Sequence, residues 1–536
     1  MNRTRFLLLS LLMMLTLIVP VLPMAAQTGG NLIWGTDSEP ETLDPTCTFS
    51  SIADNQYKTI YDSLVFWEPS DQEFYPYLAE SWEVNGDFTS YTFSLRDDVV
   101  FHDGTPFNAE AVKINFDRVA TIRDSESCSS ASVAQARLGS TYVSTEVIDS
   151  FTAQVNFSQP NPIFLIGVSD LYFMSPASLE EFGDEDIGRN AVGSGAFILE
   201  EWVDQSFMRV VRNEDYNWGP GNAAHQGPAL LESITWQFIP EATTRLASLE
   251  AGEVHLINRV ESDQYIQLSQ NPDLVTTALP GPGTPNGFVL NASLPPLDDI
   301  RVRQALGHAF DRPLMLEVLF NNIFPIGNGP ISSSTWSYWE GVNDYNQYDP
   351  EMALALLAEA GWTDTDSDGI LDKDGEPLAL SHIELSTIPD RAIAAEFVQA
   401  QLAEVGIQLN LEFAEAGVVV DECHNARRHV CGLRWRMADP SNLSAMWLST
   451  NIGTGFNWSH LPDEDIDSLL SAGAAEADRE TRRQIYQDLQ KRIMDLAIWI
   501  PLWDVQITHG SNPKLQGWEA LNNPEYIWLY DAYISE

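Results

Sequence analysis

The sequence predicts an α/β protein built from two or three lobes. Its 536 residues exceed what one hydrophobic core usually supports. In the second half, segments with strand-like patterns alternate with segments of helical periodicity, an order typical of α/β domains. A Pro- and Gly-rich stretch at 279–287, "LPGPGTPNG", separates the two halves. The hydrophobic fraction of 44% supplies enough apolar material for proper cores.

Strand and helix signals also occur in the first half. Alternation begins with "GNLIWGT" and recurs in "SYTFSLRDDVVF", where Tyr91, Phe93 and Leu95 share one face. Asn108 is the predicted N-cap of the next helix, because its side chain can accept a hydrogen bond from the first helical turn. Two further strands are predicted to form a hairpin that turns at Asp204 and Gln205.

In the second half, helices are predicted to start after Asp299 and Asp349, and Gly361 ends the second of them. The segment "LSHIELSTI" reads as a strand. The segments "DRAIAAEFVQAQLAEVGIQLNLEFAE" and "RETRRQIYQDLQKRIMDLAIWIPLWDV" each predict a helix followed by a strand.

The chain is strongly acidic. With 28 basic and 77 acidic residues, its formal net charge is −49. Such a surface repels nucleic-acid phosphates and anionic lipid, so nucleic acid is excluded as a partner. The charge also favours solubility, but it does not identify a ligand.

The N-terminus has the features of a secretory signal peptide. Arg3 and Arg5 precede the apolar run "FLLLSLLMMLTLIVPVLPM", and small residues follow at Ala25 and Ala26. Pro residues interrupt the run, which argues against a permanent membrane anchor. We therefore expect residues 1–26 to be removed and the protein to be periplasmic or extracellular.

If the protein is exported, its four cysteines are expected to form disulfides, because an oxidising compartment favours these bonds. The simplest pairing joins Cys423 to Cys431 in a stapled hairpin and leaves Cys47 with Cys128. An alternative is a zinc site in "CHNARRHVC", which also contains two histidines, although its ligand spacing matches no common zinc module.

The stretch "DTDSDGILDKDGE" at 364–376 resembles half of an EF-hand calcium loop. The candidate calcium ligands are four aspartates: Asp364, Asp366, Asp368 and Asp372. The closing bidentate Glu of an EF-hand is replaced by Gly375, so the alternatives are a solvated turn and a weak structural calcium site.

Catalytic signals are weak. The sequence contains no G-x-S-x-G, P-loop or H-E-x-x-H motif, and its many carboxylates make chance acidic pairs unavoidable. An enzyme is therefore not expected, and a secreted acidic hydrolase is the least favoured class. The segment "RWRMADPSNLSAMW" is more informative, since Arg434, Trp435, Arg436 and Asp439 could bind both ends of a zwitterion. A local surface ion pair is the alternative.

Several long motifs resemble the bacterial extracellular solute-binding proteins of family 5, which include the dipeptide-, oligopeptide- and nickel-binding components of ABC importers. The resemblance spans nearly the whole mature chain. Its motifs are "EPETLDPT" (39–46), "YPYLAESWEVNGDFTSYTFSLRDDVVFHDGTPFNAEAVKINFDRV" (75–119), "VGSGAFILEEWVDQSFMRVVRNEDYNW" (192–218), "RLASLEAGEVHLI" (245–257), "LPPLDDIRVRQALGHAFDR" (294–312) and "EAGWTDTDSDGILDKDGEPLAL" (359–380).

This resemblance implies the large class II periplasmic binding protein fold, in which two α/β lobes close around a ligand and the first lobe carries an inserted domain. The implied domains are domain I at 27–66, 193–281 and 504–536, domain II at 67–192, and domain III at 282–503. The chain is then expected to cross between the lobes near 279–287 and near "IPLWDV", where a hinge would lie.

The resemblance also implies ligand-binding residues. In peptide-binding relatives an Asp of domain III holds the ligand's α-amino group, and Asp439 is the matching position. The residues after "LDP", here Thr48, Phe49 and Ser50, would line the cleft, together with Trp503 near the last crossing. The loop at Asp439 departs from the family pattern, because Pro440 follows it directly.

The expected function is therefore capture of a short peptide by lobe closure and its delivery to an ABC permease. The alternative ligand on the same fold is an oligosaccharide or another solute. The expected state is a monomer, with no cofactor except the structural calcium considered above.

Overall fold

A computed structural model describes residues 29–48, 51–68, 73–123, 125, 128, 131–436, 439–520 and 526–535. The signal-peptide prediction for residues 1–26 and the cleft predictions for Phe49 and Ser50 lie outside the described residues. Within the described ranges, none of the helices is both long and apolar enough to cross a membrane.

The strands are, in chain order, β1 (Asn31–Thr36), β2 (Val65–Glu68), β3 (Glu73–Pro76), β4 (Ala79–Val84), β5 (Ser90–Leu95), β6 (Tyr142–Asp149), β7 (Thr152–Phe157), β8 (Phe197–Val203), β9 (Phe207–Arg212), β10 (Ser233–Phe238), β11 (Leu256–Asn258), β12 (Val275–Pro280), β13 (Gly283–Leu290), β14 (Asp372–Lys373), β15 (Glu376–Pro377), β16 (Ala379–Leu385), β17 (Gln408–Ala414), β18 (Val430–Arg436), β19 (Trp499–Trp503), β20 (Gln506–Ser511), β21 (Leu515–Gln516), β22 (Glu519–Ala520), β23 (Ile527–Trp528) and β24 (Tyr533–Ile534).

The α-helices are α1 (Ser51–Ile60), α2 (Ala109–Thr121), α3 (Ala131–Leu138), α4 (Phe164–Val168), α5 (Pro176–Asp186), α6 (Ala242–Glu250), α7 (Ser262–Ser269), α8 (Ile300–His308), α9 (Arg312–Phe320), α10 (Pro350–Glu359), α11 (Pro389–Glu404), α12 (Ala416–His424), α13 (Leu443–Trp447), α14 (Glu464–Ala475) and α15 (Arg479–Asp495). The predicted caps are confirmed: Asn108 accepts from Ala111 N at 3.0 Å and Asp349 from Met352 N at 2.9 Å.

Three larger sheets organise these elements. The first has seven strands in the order β12-β20-β11-β1-β10-β9-β8, the second has five in the order β17-β16-β18-β13-β19, and the third has four in the order β4-β5-β7-β6. The seven- and four-stranded sheets share one continuous hydrophobic core. Two further buried clusters pack on the five-stranded sheet. The chain thus forms two α/β lobes, and the first carries an added antiparallel sheet.

The exact domain limits remain a prediction. All strands of the seven-stranded sheet fall inside the predicted domain I, those of the four-stranded sheet inside domain II, and those of the five-stranded sheet inside domain III. Strand β2 runs across the predicted 66/67 limit, and it pairs with β3.

The chain crosses between the two lobes from β12 to β13 and again from β19 to β20. The two crossings lie side by side, because Gly281 N donates to Val505 O at 2.8 Å. A short paired connection of this kind is suited to a hinge, since few residues need to change their backbone angles.

Both predicted disulfides are confirmed, Cys47–Cys128 and Cys423–Cys431. This removes the thiolates that the zinc alternative needs. The predicted stapled hairpin is wrong, however: Cys423 lies in the last turn of α12 and Cys431 lies in β18, so the bond joins a helix to a strand. The reason is the helical spacing of Val419 and Cys423, which buries both on one face of α12.

Candidate functional site

The two lobes present the same kind of edge to each other. In the first lobe β1 is parallel to β10 and β11, so the carboxyl ends of these strands meet where the chain also crosses to the second lobe. In the second lobe β16 is parallel to β18, while β18 and β19 are both antiparallel to β13. Their carboxyl ends therefore share one edge, again at the crossings. Open α/β sheets bind ligands at such edges.

Charged side chains occupy both edges. In the first lobe, Arg259 follows β11 and Asp37 follows β1, and the two form an ion pair with Nη1–Oδ2 at 2.9 Å. In the second lobe, Glu384 at the end of β16 forms an ion pair with Arg391 in the first turn of α11. Both members of this second pair are buried, with side chains 1% and 6% exposed.

Arg434 lies close enough to both ion pairs to be affected by the charges of Arg391 and Arg259. It is partly buried in β18, and none of the described acidic residues forms an ion pair with it. Burial first, and then the positive charges of Arg391 and Arg259, lower the pKa of Arg434 to about 10. The guanidinium is still cationic at neutral pH, so an anion placed beside it would relieve both the desolvation and the repulsion.

Gly432 makes room for this arrangement. A Cβ at this position would overlap the Glu384 carboxylate and the Arg391 guanidinium. Since β18 and β16 are paired here, only a residue without a side chain lets the buried ion pair lie against the strand. Gly432 thereby fixes where Arg391 stands relative to Arg434.

The structure brings only part of the predicted site together. Trp435 packs on Phe456 with ring centroids 4.6 Å apart, next to Arg434. The side chain of Arg436 lies outside the described residues. Asp439 binds Arg482 with both carboxylate oxygens, at 2.6 and 2.7 Å. Its role in holding an α-amine remains a prediction, and an amine would have to compete with that guanidinium.

Two other predicted cleft residues are deeply buried. Trp503 is 2% exposed and packs on Phe320 and Phe324, with ring centroids 5.1 and 6.0 Å away. The hydroxyl of Thr48 donates to Glu41. Their contacts with a ligand remain predictions, and the observed contacts are those of packed interior residues.

The acidic loop groups three of its four aspartates. Carboxylate oxygens of Asp364, Asp366 and Asp372 lie within 4.8 Å of one another, whereas Asp368 is not part of this group. Several of these oxygens accept hydrogen bonds from the loop itself, for example Asp364 from Ser367 N at 2.6 Å. Calcium binding at this loop therefore stays a prediction.

Sequence reasoning missed Arg259, Arg391 and Glu384, because strongly acidic composition makes single charged residues uninformative. Arg259 follows β11, Glu384 lies at the end of β16 and Arg391 lies in the first turn of α11. Their positions near strand ends were the available signal, since the edge of a sheet collects such residues. It also missed Asp504, which follows β19 at the second crossing and is 3% exposed.

Two facing α/β lobes with charged sheet edges and a paired crossing define a two-lobed solute-binding protein. The sequence profile described as bacterial extracellular solute-binding proteins, family 5 middle region, matches residues 73–455. The chain therefore belongs to family 5 of the bacterial extracellular solute-binding proteins.

Similar proteins agree with this assignment. The glutathione-binding protein GsiB of Salmonella typhi is 28% identical over 488 residues, which cover 89% of each chain. NikA from Brucella suis, solved in complex with Fe(III)-EDTA, is 26% identical with a TM-score of 0.82, covering 94% of this chain and 100% of that one. The ABC transporter-associated periplasmic binding protein DppA from Helicobacter pylori, solved with the peptide STSA, shares the fold at 23% identity with a TM-score of 0.77, over 95% and 99% of the chains.

Proposed function

We propose that this protein is the exported substrate-binding component of an ABC importer, and that it captures short peptides or peptide-like solutes carrying a carboxylate. The observation that carries the proposal is Arg434, a partly buried cation without an acidic partner among the described residues. A buried guanidinium usually stands opposite a carboxylate or phosphate, because leaving its charge unpaired is costly.

Closure of the lobes follows from the same electrostatics. Arg259 belongs to the first lobe, whereas Arg391 and Arg434 belong to the second. Arg259 and Arg391 are paired with Asp37 and Glu384, but their positive charges still act on Arg434. Closure brings Arg259 toward Arg434, and a ligand carboxylate between the lobes offsets this repulsion. The ligand thus binds the closed state more tightly than the open state, which is what shifts the population toward closure.

The protein acts in this proposal without covalent chemistry, and the closed form docks on the membrane permease as a monomer. Export depends on the signal peptide predicted at residues 1–26. Peptide is favoured as the ligand class because GsiB and DppA bind glutathione and a peptide, respectively. Nothing in this scheme needs a cofactor.

The sugar alternative has less support. Oligosaccharide sites present open aromatic faces, but Trp447 packs edge-on against Trp499. The ring of Trp336 is covered by the guanidinium groups of Arg479, Arg482 and Arg483, each within 5.8 Å of its centroid.

The test is native mass spectrometry of the protein purified from its own compartment, before and after mild unfolding that releases any ligand. Release of short peptides supports the proposal, and a hexose-spaced ladder overturns the ligand class. Arg434→Gln should then weaken binding of the released peptides on the order of a hundredfold, as expected for removing one partner of a desolvated ion pair.

Arg427→Gln is the matched control for this variant. Arg427 is exposed and paired with Asp421 and Glu422 away from the sheet edge. Equal affinity of both variants for the released peptides, measured by calorimetry, would show that Arg434 does not hold the ligand.

A further inference from the structure

Residues 42–48 of the first lobe, "TLDPTCT", form a buried segment that is neither helix nor strand; we call it the strap. It is buried from Leu43 to Thr48. Connecting segments usually run over the surface, because buried backbone polar groups must find partners inside the protein. The position of the strap therefore depends on contacts from other parts of the molecule.

Arg118 of α2 provides the central contact. Its guanidinium donates to both carboxylate oxygens of Asp44, with Nη2–Oδ2 at 2.6 Å and Nη1–Oδ1 at 3.2 Å. Its Nε donates to Asp184 in α5 at 2.8 Å. Asp44 also accepts from the backbone N of Thr46 at 2.9 Å, so the same carboxylate shapes the turn of the strap. The side chains of Arg118 and Asp44 are 11% and 2% exposed, and breaking such a buried pair is costly.

Two further contacts hold the strap beside this ion pair. The backbone N of Leu43 donates to Gly188 O at 2.9 Å, and a Cβ at Gly188 would overlap the Thr42 hydroxyl. Cys47 is joined to Cys128 by a disulfide. All of these partners of the strap fall within the predicted domain II, whose four-stranded sheet shares no strand with the two large sheets.

The strap lies on the path from β1 to α1. It follows the carboxyl end of β1, where Asp37 pairs with Arg259. Helix α1 ends at the opposite edge of the sheet, because Ile60 O accepts from Gly195 N just before β8, which runs parallel to β1. A ten-residue helix is about 15 Å long and a six-residue strand about 20 Å. The strap therefore leads to the start of α1 near the edge that faces the second lobe.

We propose that Arg118 is a positioning residue for the ligand site: by binding Asp44 it fixes the strap, and the strap fixes the start of α1 at the edge that faces the second lobe. This inference rests on the proposed function, because it concerns affinity for the same ligand. It gives the inserted domain a part in ligand binding, although that domain contributes no strand to the candidate site.

The dependence of affinity on Arg118 has a physical reason. Without Arg118 the Asp44 carboxylate is buried without its counter-charge, which drives the strap toward water. A strap that populates several conformations lowers the apparent affinity by the fraction of molecules in the competent one. The disulfide at Cys47 remains, so the loosening stays local.

The test compares Arg118→Gln with Arg303→Gln in the full mature protein. Arg303 is also a buried arginine, but it donates to Leu297 O and Leu496 O, and Leu496 precedes β19 at the edge away from the first lobe. Each protein, shown to be folded by circular dichroism, is incubated with an equimolar synthetic tripeptide library. Retained peptides are quantified by mass spectrometry after equilibrium dialysis. We expect Arg118→Gln to lower retention about tenfold or more, and Arg303→Gln to leave it within about twofold.

Hydrogen exchange gives a readout that a general loss of stability would not produce. The amides of Thr46 and Cys47 both donate to Asp44, so they should exchange about tenfold faster in Arg118→Gln and at the wild-type rate in Arg303→Gln. Arg118→Lys keeps the charge but not the bidentate geometry, and it should recover part of both effects. If Arg118→Gln does not fold, Arg118→Lys carries the same two comparisons.

Four results would overturn the inference. Unchanged peptide retention in Arg118→Gln would show that the strap does not influence the ligand. Unchanged amide exchange would show that Arg118 does not hold the strap. Equal loss of retention in Arg118→Gln and Arg303→Gln would assign the effect to overall stability. Failure of the wild type to retain any peptide rejects the proposed function itself, and the inference with it.

Discussion

At the scale of single residues, the most informative contact is the bidentate ion pair between Asp439 and Arg482. Burial would raise the pKa of Asp439, but Arg482 together with the hydrogen bonds from Ser441 holds it below its usual value. Both side chains are almost fully buried, 3% and 8% exposed. The pair joins the loop after β18 to α15, so it fixes the loop in which Asp439, a predicted ligand-binding residue, lies.

We expect Asp439→Asn to destabilise the protein by about 3–5 kcal/mol, because it leaves a buried guanidinium without its counter-charge. The measurement is chemical denaturation at pH 7, with Asp421→Asn at an exposed ion pair as control. A free energy of unfolding equal to that of the control would show that the ion pair is not structural.

His509 provides a prediction on pH dependence. It is 1% exposed in β20, neither ring nitrogen has a partner among the described residues, and burial lowers its pKa to about 4. A histidine with a lowered folded pKa contributes stability that is present above about pH 6.5 and is lost as the pH falls toward 4. For this shift the loss amounts to about 3 kcal/mol.

His509→Met should therefore flatten the decline in the free energy of unfolding between pH 6.5 and 4. The control is His308→Gln, since the His308 ring bonds to Gln347 O at the surface. Parallel stability curves for the wild type and His509→Met would exclude protonation of His509 as a cause of acid sensitivity.

At the scale of elements, the two disulfides make a matched comparison. Cys47–Cys128 closes a loop with a sequence separation of 81, and Cys423–Cys431 one with a separation of 8. In the chain-entropy account these loops correspond to about 4.5 and about 2.5 kcal/mol of stabilisation. The double Cys→Ser variant at 47 and 128 should thus lose more stability than the one at 423 and 431.

The comparison is made by thermal and urea unfolding under oxidising conditions. Equal losses in the two double variants would mean that local packing, not loop closure, determines the contribution of each bond. Both disulfides lie among buried side chains, so each double variant also places two serine hydroxyls in the interior. The measured loss of stability therefore includes the cost of burying these hydroxyls.

Gly432 leads to a prediction about how β18 packs against the neighbouring strand β16. Gly432→Ala should push the Glu384–Arg391 ion pair away from β18 and weaken ligand binding at least tenfold, since the new methyl group occupies the space of both side chains. Gly417→Ala is the control, because a Cβ there meets no atom within 4 Å. Unchanged affinity in Gly432→Ala would show that the cluster tolerates repacking.

The elements were predicted well where local pattern decides them. The periodicity of Tyr91, Phe93 and Leu95 gave a strand with the correct buried face, and Asn108 and Asp349 gave the correct helix starts. Cys423 was misread because a short distance in sequence to Cys431 favours a hairpin, whereas helical burial was the stronger effect.

The candidate site was harder to predict from the sequence than the helices and strands were. Arg434 could be selected because two arginines and an aspartate flank a Trp, but its neighbours Arg259 and Arg391 are more than 40 positions away in the chain. Their proximity depends on which strands pair and on how the lobes face each other. Asp504 carried no local signal, because what sets it apart is a buried carboxylate oxygen without a hydrogen-bond partner among the described residues.

At the scale of the whole molecule, the net charge of −49 opposes the compact state through self-repulsion. Raising NaCl from about 0.01 M to about 0.2 M shortens the Debye length from about 30 Å to below 10 Å and screens this repulsion. We expect the melting temperature at pH 7.5 to rise over this range. A constant or falling melting temperature would show that the surface ion pairs outweigh the excess of like charge.

Calcium binding is also tested on the whole molecule through its melting temperature, because one bound ion should stabilise the folded chain. If Asp364, Asp366 and Asp372 hold calcium, millimolar CaCl₂ should raise the melting temperature of the wild type more than that of Asp366→Asn. The NaCl concentration is kept at 0.2 M so that general screening is equal. An identical increase in both proteins would leave the loop as a solvated turn.

The hydrogen bond between Gly281 and Val505 has a consequence for the order of events in transport. Because it holds the two connections together, residues beside the crossings move less than residues farther along the sheet edges when one lobe rotates against the other. Arg434 and Arg259 belong to different lobes, so the distance between them changes with the angle between the lobes. Under the proposed function, a solute whose carboxylate contacts both arginines would be held completely only in the closed protein. A compound that lacks the carboxylate would leave the protein open and would be delivered poorly.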